Sequence, residues 1–99
     1  MDVYFVLNGI TFLWNEEKAR KNPNKHAGVT FQQAAEAFFD PFLVVVDANR
    51  NDEARDAVIG MDGRWNLLYV VHIEQCDDDV IRIISARKAT RKEREYYES

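Results

Sequence analysis

An α+β fold is predicted: an antiparallel sheet of about four to six strands, with two helices near the N-terminal half and one C-terminal helix. Three observations lead there. Short β-branched, aromatic and aliphatic runs flank two turn signals, Asn8-Gly9 and Asp62-Gly63. Two Thr-x-x-Gln/Glu boxes, at Thr30 and Thr90, mark helix starts. The strands cluster in runs and do not alternate singly with helices. With 99 residues, 46% of them hydrophobic and 30% charged, the chain is read as one globular domain spanning 1–99.

Asn8-Gly9 separates 3–7 from 10–14, a strong short-range hairpin signal, because Asn-Gly readily takes two positive φ angles. Asn15 then precedes Glu16 and Glu17, an N-cap followed by acids that the helix dipole favours. Pro23 biases Asn22 away from helical angles, so this helix is expected to be short. The next helix opens at the Thr30/Gln33 box. Phe31, Ala34, Ala35, Phe38 and Phe39 fall on one stripe that must cover a sheet. Asp40-Pro41 ends it, and the apolar run 42–46 suits a strand buried on both faces. Residues 48–54 form a polar turn region. The stretch 55–61, then Asp62-Gly63 as a type I′ turn, then 65–74 reads as a second hairpin. An acidic loop over 75–79 leads to the strand 80–86, and Thr90 with Glu93 opens the last helix.

Composition narrows the function classes. No apolar run approaches the roughly 18 residues of a membrane span, and the N-terminal stretch lacks a basic region and a small-residue cleavage site, so a cytoplasmic location without membrane contact is expected. The single cysteine, Cys76, has no Cys partner and no His at ligand spacing, which argues against a disulfide scaffold or a structural zinc; no metal or cofactor is expected. P-loop, G-x-G-x-x-G, H-E-x-x-H and G-x-S-x-G patterns are all missing from the sequence. The net charge of −4 opposes nucleic-acid coating by bulk charge. Its distribution is uneven, however. Between Arg82 and Arg94 six cations face the single acid Glu93, a local +5 that leaves −9 for the remainder. A smaller basic cluster, Lys18, Arg20, Lys21 and Lys25, lies beside His26.

Several residues are candidates for chemistry. Arg91 and Lys92 stand in the first turn after Thr90, where free N–H groups and cations together suit a phosphate. The plainer alternative is a solvated face balanced by Glu93, Glu95 and Glu98. Strict alternation places Ile81, Ile83, Ser85 and Arg87 on one strand face and Arg82, Ile84 and Ala86 on the other. The two arginines therefore point opposite ways unless a bulge intervenes. Histidine is the side chain that titrates near neutrality. His72 shares a face with Leu68 and Val70, the setting of a core histidine, whereas His26 follows Lys25 in a polar loop and is freer to act. Trp14 and Trp65 adjoin strand ends, where a ring either stacks on a base or packs at the sheet edge.

At greater length, the stretch 12–18, then Asn22, Lys25-His26, 28–31 and Ala34-Ala35 resembles the opening signature of BrnT-type toxins of bacterial type II toxin–antitoxin modules. The closing stretch 81–90, with Glu93, Arg94 and Tyr97, resembles that family's ending more closely, and Arg55 and Ile59-Gly60 match its middle block. Asn15 stands where the family usually has Asp, and Ala27 is an extra residue between His26 and Gly28. The resemblance implies a RelE-like fold and a metal-independent endoribonuclease, neutralised by a BrnA-type antitoxin with DNA-binding capacity, with a toxin–antitoxin hetero-oligomer on operator DNA. It implies Arg87 on the scissile phosphate, Arg55 as a second transition-state cation and His72 or His26 as proton carrier. Lys25, Arg82, Lys88, Arg91, Lys92 and Arg94 would hold the RNA backbone. The rival reading is a partner-binding or nucleic-acid-binding module without nuclease activity.

Overall fold

The computed structural model describes residues 1–51, 53–75 and 79–99. Cys76 and most of the predicted acidic loop fall outside these. The elements run β1 (Asp2–Leu7), β2 (Ile10–Asn15), α1 (Glu16–Lys25), α2 (Phe31–Ala37), β3 (Val44–Asp47), β4 (Asp56–Met61), β5 (Leu67–Gln75), β6 (Val80–Lys88) and α3 (Arg91–Glu98). The strands form one sheet in the order β1-β2-β6-β5-β4-β3. All neighbours are antiparallel except β2 and β6, which pair in parallel.

The first hairpin forms as predicted, with φ of 50° at Asn8 and 80° at Gly9. Asn15 caps α1 by accepting the Lys18 N–H, so the amide serves where an Asp is usual in the family pattern. Both threonine boxes close fully, Thr30 with Gln33 and Thr90 with Glu93.

Three expectations are corrected. Pro23 does not push Asn22 out of α1, which runs through both residues and ends at Lys25. The last turn survives because the Asn22 carbonyl accepts the His26 N–H and the Pro23 carbonyl accepts that of Gly28, bonds that need no donor from the proline. The run 42–46 is not a doubly buried strand: β3 is a sheet edge, with Val45 half exposed and Phe42 74% exposed outside it. Nor is Asp62-Gly63 a two-residue turn. Met61 pairs with Leu67 across the loop 62–66, and the residue with positive φ is Trp65, at 67°. The Asp62 carboxylate organises that loop by accepting the N–H groups of Arg64 and Asn66.

The main core lies between one sheet face and α2. Phe12, Trp14, Leu68, Val70, Ile83 and Ala86 of the strands meet Val29, Phe31, Ala34, Ala35 and Ala37. Close packing of α2 on β4 requires Gly60, because a Cβ there would stand 2.6 Å from the Ala37 carbonyl oxygen. Helix α3 covers part of the opposite face, above Ile59 and Tyr69.

Candidate functional site

One backbone irregularity decides which side chains share a face. His72 pairs with Ile83 and Val71 with Ser85, so Ile84 is an extra residue in β6. Past that bulge the alternation is inverted, and Ile83 and Ala86 both enter the main core. Arg82, Ser85 and Arg87 then lie together on the second face, where strict alternation would have separated the two arginines.

On that face is a cleft of about 270 Å³ lined by Lys18, Lys21, Asn22, Lys25, His26, Arg50, Arg55, Ile84 and Ser85. One wall is α1, whose residues 18, 21, 22 and 25 fall at i, i+3, i+4 and i+7 and so form a single stripe. The other wall comes from the β3–β4 connection. There Arg50 and Glu53 bridge each other's backbones, and the Asn49 side chain accepts the Arg55 N–H. The bulge forms the floor. Arg55 reaches Glu53 at 3.4 Å through one terminal nitrogen, while its Nε is buried with no hydrogen-bond partner among the described residues. Among the described residues no carboxylate lines the cleft, which gathers positive charge around one hydroxyl, Ser85.

Of the residues expected from sequence, Arg55, His26 and Lys25 meet in this cleft. The others do not line it. Arg87 donates to both Glu93 oxygens, at 2.7 and 2.8 Å, and its guanidinium stacks 4.1 Å above the Tyr69 ring centre. The Glu93 bonds strengthen Arg87's hold on its proton and, in return, keep the Glu93 carboxyl below its ordinary range. This clamp fastens α3 to the sheet. Arg82 is bonded to Asp2 at 2.9 Å. His72 lies in the main core, 2% exposed, edge-on to Phe38, and burial lowers its pKa. It does not reach the cleft. Along α3, Arg91 and Arg94 approach Glu95 and Glu98 at 4.0 Å, the arrangement of a solvated face, and Lys88 and Lys92 lie outside the cleft. Trp14 is core, packed on Phe31 and Phe5. Trp65 is exposed.

The residues missing from the sequence-based set are Lys18, Lys21 and Arg50. The helical spacing of Lys18, Lys21 and Lys25 was the available signal. Arg50 carries none, because only closure of the 48–55 connection brings it across to α1.

A larger apolar groove, about 490 Å³, lies at the other end of β4, between Leu7, Phe39, Phe42, Met61 and Trp65. Its carboxylates are structural. Asp40 accepts the N–H groups of Phe42 and Met61 and the Tyr97 hydroxyl; burial alone would raise its pKa, but these bonds outweigh it and hold the pKa low. Asp62 accepts from Arg64, Asn66 and Gln33, and Glu36 accepts the Gly63 N–H.

Fold and cleft together define a small α+β protein with a cationic cleft between its first helix and the β3–β4 connection. The chain belongs to the family of ribonuclease toxins, BrnT, of type II toxin–antitoxin systems, which matches residues 14–93. No curated protein sequence matches it. Membership implies an RNA substrate and a protein antitoxin as partner. Among the described residues no helix is long and apolar enough to cross a membrane.

Proposed function

We propose that this chain is a metal-independent endoribonuclease that cleaves RNA in the cationic cleft between α1 and the β3–β4 connection. The observation that carries the reading is the convergence of Lys18, Lys21, Lys25, His26, Arg50 and Arg55 from two distant stretches of sequence. Cleavage without a metal requires loss of the 2′-OH proton, attack of the 2′-oxygen on phosphorus, and protonation of the departing 5′-oxygen. The products are a 2′,3′-cyclic phosphate and a free 5′-hydroxyl. His26 is the group suited to move a proton, a role worth about 10² to 10⁴ in rate. Arg55 and Lys25 stabilise the charge that develops on the phosphorane oxygens. Lys18, Lys21 and Arg50 hold flanking phosphates. Arg87, bonded to Glu93, fastens α3 outside the cleft and has no part in this step.

Metal independence is supported by the donor set. Among the described residues the cleft is lined by nitrogen cations and by no carboxylate, and they contain no cluster of three His, Cys, Asp or Glu side chains suited to a metal ion. One continuous sheet from β1 to β3 supports reading 1–99 as a single domain. The partner in this reading is a BrnA-type antitoxin, which neutralises the toxin in the cytoplasm and joins it in a hetero-oligomer on operator DNA.

The deciding experiment is cleavage of a defined RNA by purified protein in excess EDTA, with Arg55→Ala, Lys25→Ala and His26→Ala compared with the parent. Loss of cleavage in folded variants is expected. Wild-type rates in all three would overturn the site, and a parent that binds RNA without cutting it would favour the binding-module reading.

A further inference from the structure

Helix α1 supplies most of the cleft's charge yet has little apolar anchorage. Its one buried residue is Asn22, 5% exposed. Strand β2 pairs with β6 only over Thr11–Leu13 against Val80–Arg82, so among the described residues the later half of β6 has no strand neighbour on that side. Asn22 fills the gap. Its Nδ2 donates to the Ala86 carbonyl at 2.8 Å and to the Val29 carbonyl at 2.9 Å, while its Oδ1 accepts the Ala86 N–H at 3.3 Å. One side-chain amide thus imitates the peptide of a missing strand and satisfies both backbone groups of Ala86.

We infer that Asn22 is a positioning residue for the ribonuclease reaction: its amide sets the depth and rotation of α1, and so the distance from Lys18, Lys21, Lys25 and His26 to Arg55 across Ser85. The inference rests on the cleft being the RNA site. Asn22 lies at the centre of the 18/21/25 stripe, so a change in its bonding rotates or lifts every cation of that wall together. A misplacement of about 1 Å can cost on the order of 10² in rate. Asn→Asp keeps the size and the acceptor but removes the two N–H donors, leaving the Val29 and Ala86 carbonyls without their bonds.

The test measures single-turnover cleavage and the salt dependence of RNA binding for Asn22→Ser, Asn22→Asp, Lys25→Ala and Arg55→Ala, with folding checked by circular dichroism. For single strands the slope of log K against log salt is about −0.7 per phosphate contact. The Asn22 variants are expected to flatten it by the equivalent of two or three contacts and to lower the cleavage rate about 10²-fold. Lys25→Ala is expected to remove about one contact. If Asn22→Ser folds and keeps both the parental slope and rate, the positioning role is wrong. Should Asn22→Ser not fold, Asn22→Asp decides on the same two readouts. The cleft reading itself fails only if Lys25→Ala and Arg55→Ala also leave slope and rate unchanged.

Discussion

The two ends of β4 lie roughly 17 Å apart, at about 3.3 Å per residue, and use charge differently. Beyond Asp56, the cleft presents Lys25 and His26, which have no carboxylate partner among the described residues, while Arg55 and Lys21 beside them reach only one carboxylate each, Glu53 and Glu17, at 3.4 Å. At Met61 the groove's carboxylates are spent on backbone N–H groups and on Tyr97, whose phenol is pushed up to about 12 by burial and by the Asp40 carboxylate. Charge with committed partners serves the fold, and charge left uncommitted is available to a ligand. That contrast separates the two cavities better than size, since the larger one lacks cations.

The contrast breaks most visibly in activity. Arg55→Ala and His26→Ala should each lower RNA cleavage by about 10² or more, whereas Trp65→Ala in the groove should leave the rate unchanged. A groove variant with the larger loss would reverse the assignment.

Stability should show the opposite pattern. Asp62→Ala strands four donors from Arg64, Asn66 and Gln33 and should cost about 2–4 kcal/mol in urea unfolding. Lys25→Ala should cost less than about 0.5 kcal/mol. Arg87→Ala falls between. Its clamp is only partly shielded from solvent, with 36% of the arginine side chain exposed, so about 1–2 kcal/mol is expected. A sequence-only view of Arg87 as a phosphate ligand predicts no such loss, and calorimetry separates the two.

Acid titration should resolve two steps. Burial keeps His72 neutral when folded, so below its ordinary value of 6.5 the unfolded chain takes up a proton that the native state refuses, and stability falls as pH falls. His72→Gln should flatten that step. Asp40 and Asp62 are held below their ordinary 3.8, and their contribution is lost only as pH drops through that lower range. A small effect of the opposite sign is expected at Ala27, which adopts a φ of 51°. Ala27→Gly should stabilise by about 0.5–1 kcal/mol, read as a rise in melting temperature.

What was legible in the sequence is what local chemistry determines. Asn8-Gly9, Thr30/Gln33 and Thr90/Glu93 act within four residues, and each formed as expected. The edge position of β3 was not legible, because an apolar run does not reveal how many neighbours it will find. Nor was the bonding of Arg87 to Glu93, since the same residue pair reads equally as a helix box beside a phosphate ligand. Half of the cleft was visible as the Lys25-His26 pair and Arg55. Of the remainder, Lys18 and Lys21 follow from helical spacing, Asn22 has its role only once β6 lies beside α1, and Arg50 only once the 48–55 connection closes.

Ile84 carries a last consequence. Removing that one codon would restore strict two-residue periodicity to β6 while leaving the partners of Ile83, Ser85, Ala86 and Arg87 on β5 as they are, so that Ala86 stays beneath α2 and Arg87 stays on the opposite side. A single in-frame deletion there should therefore cost less than most deletions within a strand, because every remaining side chain keeps the side it already occupies.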